Sequence, residues 1–360
     1  MINQFQKSNA LYQRALKTIP LASQTFSKSA MMYVNGVSPL FIDHGKGAYV
    51  WDVDGNQYID YVSALMPVIL GYCDEDINRA IIEQLDKGII FSLSSELEIA
   101  LSEKLVELIP CAEMVRFGKN GSDATSAAIR IARAYNGRDK VAVAGYHGWH
   151  DWYIGSTARH LGVPDAVRGL TETFKYNDAE SLETLLKNSP NEFSAVILEP
   201  DGAVPVNSEF LQQVRGLTEK YGVVLIFDEI VTGFRIHMGG AQAFYGVVPD
   251  LATFGKAMGN GMPISAIVGQ QRFMKKMDDI FFSGTFGGET LSLVASLATI
   301  HKLEEKKAVS VFSQLGNMMM IGVEKLIAIH QMSHVLSVSG GAWWPRITVA
   351  PTEALTVLDI

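Results

Sequence analysis

Val223-Val224-Leu225-Ile226-Phe227-Asp228-Glu229-Ile230 is an apolar, β-branched run that ends in two carboxylates. A short run of this kind, with no polar alternation, reads as a strand buried on both faces, the strand type of parallel sheets covered by helices. In such sheets ligands gather outside the carboxyl ends of the strands. Asp228 stands at that end, where a carboxylate is costly unless a positive group meets it. Two partners fit: a Mg²⁺ ion, as in a Walker-B element, or a protonated ring nitrogen. The first needs a G-x-x-x-x-G-K-[ST] loop, and the sequence contains none.

Working outward, three more runs have the same character: Met114–Phe117, Lys140–Ala144 and Ala195–Glu199. Helical periodicity falls around them, over Asp76–Gly88, Ser94–Leu108 and Asp123–Tyr135. Alternating strands and helices predict an α/β fold with a mostly parallel sheet covered on both faces. Upstream, apolar Leu11, Ala15 and Ile19 predict a surface helix up to Pro20. Pro39–Asp43, Ala48–Val53 and Tyr58–Val62 then read as a small meander, with Asp54-Gly55-Asn56 as a tight turn. Downstream, Ser310–Gln331 reads as a helix, followed by strands at Val335–Val338 and Arg346–Val349. The expected domains are a large domain over 71–303 and a smaller α+β domain drawn from both ends of the chain, an N-terminal segment over 1–70 and a C-terminal portion over 304–360.

Composition removes whole classes. The chain has 360 residues, 48% of them hydrophobic and 19% charged, which is globular rather than disordered. A net charge of −8 argues against a nucleic-acid surface. No run reaches the roughly 18 apolar residues of a membrane span. Met1–Lys7 opens an amphipathic stretch rather than a signal peptide. Cys73 and Cys111 have no C-x-x-C spacing and read as reduced thiols of a cytoplasmic protein.

Three other strand ends carry chemistry. Gly121-Ser122 opens a helix, where free N–H groups, a hydroxyl and the positive dipole end suit a phosphate; capping by Ser122 or Asp123 is the plainer reading. Tyr146, in Gly145-Tyr146-His147-Gly148, can lie on a planar ring, while His147, His150 and Asp151 are a rival metal set that finds no convincing fourth ligand. Lys256 sits among apolar and glycine residues in Phe254-Gly255-Lys256-Ala257-Met258, a setting that favours the neutral amine used in Schiff-base chemistry. A phosphate cradle, a ring-stacking aromatic, a carboxylate for a pyridinium nitrogen and a Schiff-base lysine together make a pyridoxal-phosphate site.

With these residues in place, the chain resembles the class III, fold-type I pyridoxal-phosphate aminotransferases, in the branch that contains glutamate-1-semialdehyde 2,1-aminomutase. The strongest stretches are Phe227–Arg235 and Phe254-Gly255-Lys256, and the similarity runs from about Ile19 to Ala298. The resemblance implies that Gly121 and Ser122 bind the cofactor phosphate, and that Tyr146 and Ile230 cover the two ring faces. It implies that Asp228 keeps the ring nitrogen protonated, that Lys256 binds the cofactor covalently and then moves the proton, and that Glu199 lies near the substrate side. Gly284-Thr285 resembles the loop whose threonine reaches the phosphate of a neighbouring subunit, which implies a homodimer with shared active sites. The implied substrates are a small-molecule amino donor and a carbonyl acceptor; no metal, nucleic acid or membrane partner is expected.

Two departures qualify the resemblance. Where the aminomutase has a carboxylate-binding arginine, alignment places Lys28, which cannot form the bidentate clamp. The Gln24–Ser29 segment points instead to a sugar or a small hydroxylated carbonyl as acceptor. The second departure is that family members continue for several tens of residues beyond Gly340–Arg346. The expectation drawn from this is an incomplete small domain, with a cofactor-binding protein that does not turn over as one alternative and an aminomutase as the other.

Overall fold

A computed structural model describes residues 5–33, 36–202 and 204–350. It divides into two compact units, Met1–Arg79 and Ala80–Ile360.

The first unit holds α1 (Gln6–Ala15) and an antiparallel sheet of β1 (Ile42–Lys46), β2 (Tyr49–Asp52) and β3 (Gln57–Ile59), in the order β1-β2-β3. The expected meander is there, but its first strand starts three residues later than the sequence pattern indicates. Asp52 organises the turn between β2 and β3. Its carboxylate accepts from the backbone N–H groups of Asp54 (3.0 Å) and Asn56 (2.8 Å) and from the Tyr58 hydroxyl (2.9 Å). The division between the units falls within α2 (Glu75–Leu85).

The second unit is built on α3 (Glu96–Leu108), β4 (Met114–Gly118), α4 (Gly121–Asn136), β5 (Lys140–Ala144), α5 (Asp151–Ile154), α6 (Asp165–Arg168), β6 (Thr171–Thr173), α7 (Ala179–Asn188) and β7 (Phe193–Leu198). The chain continues through α8 (Ser208–Tyr221), β8 (Val224–Asp228), α9 (Gly240–Tyr245), β9 (Leu251–Phe254), β10 (Ser265–Gly269), α10 (Gln271–Met274), α11 (Thr290–Glu305) and α12 (Ala308–Ile329), and ends in the hairpin β11 (Leu336–Ser339) and β12 (Arg346–Val349). Seven strands form one sheet in the order β4-β10-β9-β8-β7-β5-β6. It is parallel except at β10, which runs antiparallel to both β4 and β9.

Alternation along the strands decides what reaches the site. Val224 and Ile226 of β8, Ala195 and Ile197 of β7 and Leu251 of β9 pack into one core with Ala124, Ala128, Ile131 and Ala132 of α4. The small alanines let the helix lie close to the sheet. Side chains of one face recur every second residue. Asp228, Glu199 and Thr253 therefore continue the rows that face α4, at the carboxyl ends of their strands.

Candidate active site

The turn between β4 and α4 is shaped by its own polar groups. The Asp123 carboxylate accepts from the backbone N–H of Asn120 at 2.8 Å and of Lys119 at 3.2 Å, which secures the first turn of α4. Ser122 has a different partner: its buried hydroxyl accepts from the Trp149 N–H at 3.2 Å. Asn120 and Asp123 thus cap the helix reciprocally as a capping box, and Ser122 joins the cradle to the loop after β5. That loop turns at Gly145 (φ +102°) and Gly148 (φ +103°), conformations that favour glycine. A Cβ on Gly148 would lie 2.2 Å from the Ser122 hydroxyl oxygen, and one on Gly145 would lie 2.6 Å from a Glu199 carboxylate oxygen. Ile230 closes in from β8. A Cβ on Gly121 or on Gly255 would fall 3.3 and 3.0 Å from its side chain.

Asp228 is buried, and both of its carboxylate oxygens are hydrogen-bonded. One oxygen accepts from the Thr253 hydroxyl (3.1 Å) and the Ile230 N–H (3.2 Å); the other lies 2.8 Å from His147 Nδ1. The opposite nitrogen of His147 is 3.1 Å from the Ala144 carbonyl, so both ring nitrogens face oxygen acceptors. Tyr153 packs edge-on against His147 with centroids 5.2 Å apart. His147, read from sequence only as a candidate metal ligand, is instead the partner of Asp228. His150 pairs with Ser126 at 2.7 Å, and no cluster of three metal-ligating side chains occurs among the described residues.

Lys256 follows β9 with a left-handed backbone (φ +38°), an unfavourable conformation for a side-chain-bearing residue. It is half-buried, and its amine forms no hydrogen bond or ion pair among the described residues. Burial lowers its pKa from the ordinary lysine range, reinforced by the Arg235 guanidinium and opposed by Asp228 and Glu199. Glu199 responds in the opposite sense. Burial, then the Asp228 charge, raises its carboxyl, although it accepts from the Tyr146 N–H at 3.1 Å. Tyr146 is 59% exposed and meets Tyr153 edge-on at 5.7 Å, so one face of its ring remains open.

Gly121, Ser122, Tyr146, Glu199, Asp228, Ile230 and Lys256 therefore converge within the second unit. Thr285 lies apart from them, exposed, in a cleft of about 340 Å³ with Phe117, Lys119, Phe282 and Phe286. Lys28 is exposed in the first unit. Sequence reasoning passed over Thr253 and the true role of His147. The alternation of Leu251-Ala252-Thr253-Phe254 carried a signal for Thr253, since that residue shares a face with Leu251.

The arrangement fits pyridoxal phosphate. A helix start with close-packed glycines suits a phosphate, a buried carboxylate suits a ring cation, and the desolvated Lys256 amine has no hydrogen-bond partner among the described residues. These features on this sheet define the fold-type I transferases that use that cofactor. The class III aminotransferase model matches residues 32–341, and the chain belongs to that pyridoxal-phosphate-dependent family of enzymes. It is 40% identical over 357 residues to 3-aminobutyryl-CoA aminotransferase of Cloacimonas acidaminovorans, covering 97% of this chain and 84% of that one. It is 35% identical over 347 residues to glutamate-1-semialdehyde 2,1-aminomutase of Saccharolobus islandicus, covering 88% and 81%. An omega-transaminase from Sphaerobacter thermophilus has the same fold with a TM-score of 0.85 at 31% identity, covering 95% of this chain and 82% of the other.

Proposed function

We propose that Lys256 and Asp228 are the catalytic residues of this aminotransferase, and that Gly121, Ser122, Tyr146, Glu199, Ile230 and Thr285 bind its cofactor. The carrying observation is the half-buried Lys256 at the end of β9 beside the buried Asp228 at the end of β8, with the half-buried Glu199 among the charges acting on its amine. Pyridoxal phosphate supplies an electron sink for the pair released when a C–H bond breaks at the amino-bearing carbon. The rest falls to the chain. Lys256 holds and returns the proton at its Nζ. Asp228, oriented by His147 and Thr253, keeps a positive charge at the ring nitrogen. Tyr146 and Ile230 exclude water from the two ring faces.

For the substrate we favour a 3-amino acyl thioester over a free amino acid or a sugar. Two observations support this: the 40% identity to the 3-aminobutyryl-CoA enzyme, and Lys28 standing where the aminomutase branch has an arginine. A thioester carries no carboxylate and needs no bidentate clamp. The test presents cofactor-loaded protein with 3-aminobutyryl-CoA, single amino acids, glutamate 1-semialdehyde and amino sugars, and follows the loss of visible absorbance. The expected outcome is fastest conversion with the thioester, with net transfer of the amino group to a separate acceptor. Exchange confined to glutamate 1-semialdehyde would favour the mutase reading, supported by the 35% identity to that enzyme. A coloured protein that reacts with no donor would defeat both.

The same reading includes a cytosolic homodimer in which Thr285 completes the partner's phosphate site. Among the described residues no helix is long and apolar enough to cross a membrane. Phe281 and Phe286, beside Thr285, are 81% and 57% exposed, as expected of a surface a second copy covers. Cell fractionation followed by sedimentation velocity should find a dimer in the cytosolic fraction. Recovery with the membranes, or a fully active monomer, would count against it.

A further inference from the structure

The geometry points to Lys119 and Glu289 as a largely buried ion pair that positions the phosphate end of the cofactor site, an inference that rests on the cofactor reading above. Lys119 Nζ lies 2.9 Å from a Glu289 carboxylate oxygen and 3.2 Å from the Ser292 hydroxyl. The two side chains are only 18% and 11% exposed. Each partner has a fixed place. Lys119 directly precedes the Asn120-Gly121-Ser122 turn, so its side chain is tethered to the cradle. Glu289 caps α11, accepting from the N–H groups of Leu291 (2.7 Å) and Ser292 (3.2 Å). Ser292 Oγ also lies 3.2 Å from the Pro263 carbonyl, in the stretch that leads from Lys256 into β10.

The pair thus joins three segments: the phosphate cradle, the start of α11 and the chain that follows Lys256. It also secures one end of the 281–289 loop that carries Thr285. Two other cations of β4 and α4 hold the opposite end: Arg116 donates to the Phe282 carbonyl (3.2 Å) and Arg130 to the Phe281 carbonyl (2.7 Å). Burial pushes the Glu289 carboxyl up, but the Ser292 hydroxyl, the Lys119 ammonium and the helix N–H groups outweigh it and hold it below the usual carboxylate range. The ammonium is therefore neutralised by Glu289 and does not act as a free anion receptor. Its role is to hold Gly121 and Ser122 where a phosphate finds them.

The experiment compares pyridoxal phosphate with pyridoxal, which has the same ring and aldehyde but no phosphate. Absorbance titration of the full chain stripped of cofactor yields a dissociation constant for each. Lys119→Met and Glu289→Gln should each weaken pyridoxal phosphate roughly tenfold, the scale of coupling between contacting residues, and leave pyridoxal within about threefold. The double variant should lose no more than the worse single, because the uncompensated buried charge is gone. Lys119→Arg, which keeps the charge, should retain the wild-type ratio and serves if Lys119→Met does not fold. Equal losses for both compounds, no loss in either single variant, or losses that add in the double would overturn the proposal. Wild-type protein that binds neither compound would overturn the cofactor reading as well, which separates the two failures.

Discussion

Lys256→Ala should abolish the covalent attachment of pyridoxal phosphate and lower turnover by roughly 10⁴-fold, the upper range of a positioned acid–base group. Borohydride treatment of the loaded wild-type protein should fix the cofactor to the peptide containing Lys256, and the variant should carry no fixed cofactor. The physical reason is the setting of the amine. It follows β9, half-buried and without a hydrogen-bond partner among the described residues, and burial lowers its pKa from the ordinary lysine value. Only the neutral amine is nucleophilic. A lowered pKa means that the neutral fraction is large at a lower pH than for a solvated lysine, so the attachment rate should reach its plateau below the ordinary lysine pKa. Borohydride-fixed cofactor on another lysine would overturn the assignment, and so would a variant that keeps turnover.

Asp228→Asn should lower kcat by roughly 10²–10³-fold, the cost of removing one preorganised electrostatic group. The stability cost should be about 1–3 kcal/mol, because an amide cannot accept everything the carboxylate accepts. Thr253, Ile230 and His147 all stand at hydrogen-bonding distance from its two oxygens. An amide nitrogen on the Thr253 side would face two donors, and on the other side it would force His147 into the tautomer that accepts at Nδ1. The loss should fall on kcat with the cofactor still attached to Lys256, since the carboxylate acts on the charge of the ring. A variant with wild-type kcat would remove Asp228 from catalysis. One that fails to hold the cofactor at all would make its role structural.

Much of this site was legible in the primary structure because its members follow short, locally patterned segments. Val224–Phe227 identifies a buried strand, and the residue that follows it must then sit at a carboxyl end. The start of α4 was readable from Gly121-Ser122 and the apolar spacing after it, and Lys256 from its apolar and glycine neighbours. The resemblance to class III enzymes gave these residues roles that periodicity alone could not assign. Pattern gives Lys119 no role of its own, because a lysine in a polar turn is indistinguishable by pattern from a solvated one. His147 was considered only as a possible metal ligand.

By itself the amino-acid sequence determined most of the strand and helix segments, the α/β class and the placement of Asp228 and Lys256 just outside the carboxyl ends of neighbouring strands. Those depend on periods of 2 and 3.6 residues, which act over a few neighbours. Only the tertiary structure decided that β10 runs antiparallel between β4 and β9. It also decided that His147 meets Asp228, 81 residues away, and that Lys119 meets Glu289 across 170 residues. Strand order brings those pairs together, and strand order is set by how the helices and sheet bury their faces against one another, which no local stretch of the chain encodes.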